Sequence, residues 1–158
     1  MEGGSDVDHT YLDRFGAQTW TAVMGHSPRG ALTIREEPDE PLDVRLHAPS
    51  PDTVIVWVAG PLRRSTAPLL ILRVRQQLNR ASHVIIDLSS VRCLDTHAAT
   101  ELRTLCAEAD RCGTHLHIAG VSNDAIADLL RHVDLDQHLA TGPADAVLAS
   151  LAITPHAR

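Results

Sequence analysis

The chain has 158 residues, 44% of them apolar, and its 14 basic side chains (every one Arg) against 20 carboxylates leave a net charge of −6. That length suits one domain with one sizeable core, no run approaches the ~18 apolar residues of a membrane-spanning helix, and nothing forms the basic footprint of a nucleic-acid binder. The opening MEGGSDVDHT is acidic and lacks the apolar stretch of a secretory signal, and Cys93, Cys106 and Cys112 form an odd set without a C-x-x-C pair, so a reducing cytoplasm is expected and a disulfide framework is not.

Residues 1–51 hold nine acids and four Arg, and the remainder eleven acids and ten Arg, so the acidity sits in the first third. Residues 1–41 carry scattered Gly and Pro and the cluster Glu36-Glu37-Pro38-Asp39-Glu40. They show no sustained period and read as a largely irregular acidic extension. Within it, Tyr11, Phe15 and Trp20 leave room for a short helix over roughly 10–23, either packing on the domain or docking a partner.

A regular pattern begins at residue 42. Leu42, Val44 and Leu46 alternate with Asp43 and Arg45, as in a half-buried strand. Ser50-Pro51-Asp52 makes a turn, Val54–Ala59 is a buried strand, and Gly60-Pro61 is expected to break it. Ser65 is placed to cap a helix through Leu78 with Pro68 in its first turn. Leu69, Leu72, Val74 and Leu78 are its expected inward residues, and the apolar Leu70 and Ile71 suggest burial on more than one side. His83–Leu88 reads as a central strand covered on both faces. Asp95 caps the next helix, roughly 96–111, which ends at Gly113. His115–Ala119 is a further strand, Ser122 caps a helix to about 132, a short extended piece lies near 138–141, and Pro143 opens a last helix to 151. The order predicts an α/β domain over 42–151: a mostly parallel sheet of four to five strands begun by a hairpin, with helices packed on it and a tail over 152–158.

The segment VIIDLSSVRCLDTHAATEL at 84–102 carries the functional signal. A strand leads through a polar turn to Asp95, and Thr96 opens the helix. A hydroxyl in a first helical turn faces unpaired backbone N–H groups and the positive end of the helix dipole, a place that favours a phosphate. The plainer reading of Thr96 is a capping or solvent-facing Thr. Arg63 and Arg64 read either as ordinary surface charge or as partners of a phosphate. Asp87 and Asp95, the carboxylates near this region, are explained by turn and cap roles.

This segment resembles the D-L-S-x-V-x-x-[LI]-D turn and helix start of STAS domains, the anti-sigma-factor antagonists of bacteria. The resemblance extends to VIVWVAGPLRRSTAPLL at 54–70, GTHLHIAGVSNDAIADLL at 113–130 and Asp134-Leu135-Asp136, in the family's order. It implies a single STAS-like domain in which Thr96 occupies the regulatory phosphosite. It also implies a binding protein, not an enzyme, that docks Asp95, Thr96, His97, Ala98, Arg63 and Arg64 against an anti-sigma factor of kinase-like fold. The chain departs from the family where a Gly-Glu-Leu-Asp turn reads Gly60-Pro61-Leu62-Arg63, and where His97 and Ala98 replace a Ser and a Gly after the phosphosite. The alternative is a STAS sensory or scaffold module that is not phosphorylated and holds a nucleotide or other small ligand.

No nucleophile elbow, Gly-rich phosphate loop or HExxH motif is present. His115 and His117 share one face of a strand, yet no His/Cys group has a structural-zinc spacing. No metal, cofactor, nucleic acid or membrane partner is expected, and Cys106 and Cys112 are read as apolar fillers on a helix.

Overall fold

The computed structural model describes residues 40–153. Residues 1–39 and 154–158 lie outside them, and with them the helix expected over 10–23 and most of the C-terminal tail. The elements are β1 (Asp43–Ser50), β2 (Thr53–Leu62), α1 (Ala67–Arg75), β3 (His83–Leu94), α2 (Thr96–Cys112), β4 (His115–Ala119), α3 (Asp124–His132) and α4 (Ala144–Ile153), with a 3-10 turn at Asp136–His138. The sheet runs β1-β2-β3-β4. β1 pairs antiparallel to β2, and the other pairs are parallel.

Side-chain alternation divides the sheet into two faces. Val54, Val56 and Val58 of β2, Val84 and Ile86 of β3, and Leu116 and Ile118 of β4 join the main core with α1, α2 and α3. Ile55, Ile85 and Ala119 point the other way, onto Ala144 and Val147 of α4. Both faces are thus covered, as the continuous apolar run of β3 predicts.

Several boundaries differ from the sequence expectation. Gly60-Pro61 does not end β2, which continues to Leu62. Pairing with β1 starts only at Asp43–Ala59, so Pro61 lies where β2 has β3 alone beside it and its missing N–H costs no ladder bond to β1. Gly60 takes a φ of +107°, and a Cβ there would come within 3.1 Å of the Pro41 carbonyl. Strand β3 passes through Ser89-Ser90 to Leu94. It absorbs the polar step as bulges: Trp57 pairs with Asp87 but Ala59 with Ser90, and Gly60 with Val91 but Pro61 with Cys93.

Helix α1 starts one residue later than expected, after Thr66, not Ser65, and ends at Arg75. Its buried stripe is Ala67, Leu70, Ile71 and Val74, the spacing of one helical face. Leu69 and Leu72, expected inward, stand 40% and 54% exposed. Asn123, not Ser122, caps α3, its carboxamide oxygen accepting from the Ala125 amide at 2.9 Å. The fifth strand reduces to a single bridge between Ile118 and Leu139. Cys106 is buried as expected, whereas Cys112 is exposed.

Candidate functional site

The carboxyl ends of β2 and β3 deliver two loops to one place. Leu62 ends β2, and its carbonyl accepts from the Asp95 amide at 3.2 Å. Asp95 has the extended backbone of an N-cap residue, φ −93° and ψ 165°. Its Oδ1 accepts from the Ala98 amide at 2.7 Å and its Oδ2 from the Arg64 amide at 2.8 Å. Both carboxylate oxygens are therefore engaged by backbone donors, one within α2 and one from the β2–α1 loop.

That loop is fixed at its other end by Thr66. The Thr66 hydroxyl donates to the Pro61 carbonyl at 2.7 Å and accepts from the Arg63 amide at 2.9 Å. The loop is thus tied internally by Thr66 and to α2 by Asp95. Sequence reasoning identified Asp95 as a cap but missed Thr66 and the tie to Arg64. A hydroxyl four residues past Leu62 is the signal for the first; the second, between residues 31 apart, has none.

Thr96 is the first residue of α2 and is exposed. Its carbonyl accepts from the Thr100 hydroxyl at 2.9 Å. His97 is exposed as well, with Nε2 4.0 Å from Oε1 of Glu101. Arg63 and Arg64 are exposed in the adjoining loop. The structure therefore brings Asp95, Thr96, His97, Arg63 and Arg64 to one end of the sheet. Ala98 does not share that exposure. It is fully buried in the main core, because the residues three and four places after Asp95, Ala98 and Ala99, face inward once that cap sets the helix phase. Its methyl lines the core and offers no surface to a partner.

Behind this end, Gly120 follows β4 with φ +73°, and a Cβ there would meet Oδ1 of Asp87 at 2.4 Å and the Ser89 amide nitrogen at 2.9 Å. The same Asp87 oxygen accepts from Ser89 N–H at 2.9 Å. Gly120 thus lets the β4–α3 loop lie against the first β3 bulge.

Two clefts elsewhere touch none of these residues. One, of about 340 Å³, lies at the opposite end of the sheet, where β2 and β3 begin, between Thr53, His83 and Leu148. The other, of about 200 Å³, follows the β4 edge between Asp110, His117 and His138. Around it, Nδ1 of His83 lies 3.4 Å from Nε2 of His117, and the His83 ring stacks on that of His115 at 5.2 Å. No group of three or more His, Cys, Asp or Glu among the described residues is arranged to hold a metal ion. No helix is long and apolar enough to cross a membrane, among the same residues.

The STAS domain family model matches residues 47–146. Solved structures with the same fold include the anti-sigma factor antagonist SpoIIAA in its unphosphorylated form, with 9% identity over 71% of this chain and 99% of that one and a TM-score of 0.60. The phosphorylated form of SpoIIAA, a Bacillus cell fate determinant, gives 8% identity, coverage of 69% and 99%, and a TM-score of 0.58. A murine anion transporter, Solute Carrier 26 family member A9 in the inward-facing state, matches at 17% identity over 71% of this chain but 22% of its own, with a TM-score of 0.54. At these identities the likeness concerns the fold. No curated protein sequence matches the chain significantly.

Proposed function

The chain belongs to the STAS domain family, and we propose that it acts as an anti-sigma-factor antagonist: a cytoplasmic protein-binding regulator, not an enzyme, that sequesters an anti-sigma factor of kinase-like fold and so frees a sigma factor for transcription. One observation carries this reading: the exposed Thr96 at the first residue of α2, on a helix start that Asp95 locks to the Arg64 loop. The likeness in fold to SpoIIAA, which is known in phosphorylated and unphosphorylated forms, supports a phosphorylation switch.

The physical basis of the switch is charge. The unphosphorylated site presents a neutral hydroxyl to the partner. A phosphate on Thr96 would add about −1.5 to −2 charges to a surface that binding must desolvate. It would also stand one residue from the Asp95 carboxylate, whose oxygens are already committed to Ala98 and Arg64. Arg64, exposed in the loop that its own amide ties to Asp95, is the cation available as a counter-charge in the free protein. Phosphorylation therefore favours the unbound state.

Calorimetric titration of the host's kinase-like anti-sigma proteins with wild type, Thr96→Ala and Thr96→Glu tests this. Thr96→Ala keeps binding and loses kinase-dependent release. Thr96→Glu weakens binding, though less than phosphate, because one carboxylate carries less charge and fewer acceptor oxygens. Equal affinities for all three, with no phosphate gained by wild type after incubation with kinase and ATP, would remove the switch.

A further inference from the structure

Only three large apolar side chains stand exposed among the described residues: Leu46 on β1, and Leu69 and Leu72 on α1. The last two are three residues apart, so they lie side by side on the outer face of the helix. Ala67, Leu70, Ile71 and Val74 already fill the inner face, and no internal packing need explains why the opposite side is apolar too.

Charge marks the same face. Residues 53–86 contain no Asp or Glu and five Arg, in a chain whose net charge is −6. On α1, Arg73 and Arg75 flank the two leucines, one on each side of the helical face. Arg75 turns toward α2, where its Nε meets Oε2 of Glu108 at 2.8 Å. Arg73 is exposed on the other flank. The preceding loop carries the exposed Arg64, whose amide is bound to Asp95. Exposed Arg64, Leu69, Leu72 and Arg73 thus follow one another along the chain, from the loop tied to the start of α2 into the outer face of α1.

We propose that Leu69 and Leu72, with Arg64 and Arg73, form a docking surface for a protein partner that offers an apolar pocket bordered by Asp or Glu. The proposal rests on the reading of the chain as an anti-sigma-factor antagonist. It assigns the chemistry of that partner's contact surface and extends the docking region beyond Thr96. Charge complementarity selects the occupant. A two-fold dimer of this chain through the same face would set Arg73 and Arg64 against like charges. Embedding in anionic lipid requires a broad apolar face, whereas α1 offers two leucines and buries its other side in the core. Apolar anchors inside a polar rim are the arrangement of a protein–protein hot spot.

The test titrates the full chain against the host's purified kinase-like anti-sigma proteins, comparing wild type with Leu72→Glu, Arg73→Glu and, as a control, Leu46→Glu. These positions are exposed, so circular dichroism and thermal midpoint stay near wild type. Leu72→Glu weakens binding tenfold or more. Arg73→Glu weakens it several-fold and lowers its salt dependence. Leu46→Glu leaves it unchanged. Wild-type affinity for both α1 variants would overturn the docking surface while leaving the anti-sigma reading intact. Absence of binding by wild type itself would overturn both. Vesicles of phosphatidylglycerol and phosphatidylcholine are run in parallel. Vesicle binding lost in Leu72→Glu, with anti-sigma affinity unchanged, would reassign the surface to lipid and overturn the proposal.

Discussion

The carboxylate of Asp95 accepts the backbone amide of Arg64 at 2.8 Å across 31 residues of sequence, while its other oxygen caps α2 at the Ala98 amide. One side chain thus sets both the phase of the helix and the position of the loop that carries the neighbouring Arg residues. Replacing Asp95 by Ala removes both bonds and is expected to cost about 1–2 kcal/mol, the range for losing an N-cap. Asp95→Asn retains the cap, since its carboxamide oxygen still accepts from Ala98, but its NH₂ cannot accept from Arg64. Urea unfolding orders the three proteins as wild type, Asn, then Ala. An Ala variant as stable as wild type would show that neither bond contributes.

A second prediction concerns the loop behind the site. Gly120→Ala places a methyl 2.4 Å from Oδ1 of Asp87 on a backbone with φ +73°. Left-handed strain and overpacking together are expected to destabilise the domain by about 2–3 kcal/mol. Asp87→Ala in the same chain recovers part of this loss by removing the nearest atom, while Ser89 still crowds the methyl. A double-mutant cycle in urea measures the coupling; additive losses would place the strain elsewhere.

These contacts show what the chain discloses on reading and what it hides. The helix start at Thr96, the Asp95 cap and the central strand are legible because each rests on local periodicity or capping chemistry. The inward face of α1 is not. Six apolar residues between Ala67 and Val74 admit two stripes, and only packing on the sheet decides for Leu70 and Ile71 over Leu69 and Leu72. Gly60-Pro61 reads as a break because Pro lacks a donor, but the cost depends on which neighbouring strand is present at that step. Ala98 looks like a site residue by its place beside Thr96, yet the helix phase set by Asp95 turns it inward. The bond from Asp95 to the Arg64 amide has no side-chain signature at Arg64 at all.

The cysteines should separate by reactivity. Burial, and after it the nearby Asp110 carboxylate, pushes the Cys106 thiol up to about 12, so at pH 8 it offers almost no thiolate. Cys112 is exposed and Cys93 partly so. Alkylation of the native protein followed by peptide mass mapping is expected to modify Cys112 first and Cys93 more slowly. Cys106 reacts only after denaturation. Native-state modification of Cys106 at the rate of Cys112 would contradict its burial.

The histidines at the β4 edge predict how stability depends on pH. Burial lowers the His117 pKa, and His83, His115 and His138 lower it further. The folded protein therefore resists a proton that the unfolded chain accepts at about pH 6.5. Above that value both states hold a neutral imidazole and the fold keeps its full stability. As the pH falls below it, the unfolded state binds the proton first, and stability declines until the folded His117 titrates as well. Replacing His117 by Gln removes the suppressed proton site, so the decline between pH 7 and pH 5 becomes shallower than in wild type. The experiment is urea unfolding of both proteins across that interval, comparing slopes, not absolute stabilities, because Gln also loses the contact with His83. Identical slopes would show that His117 is protonated as readily in the fold as in the unfolded chain, and that the histidine cluster imposes no electrostatic cost on the β3–β4 edge.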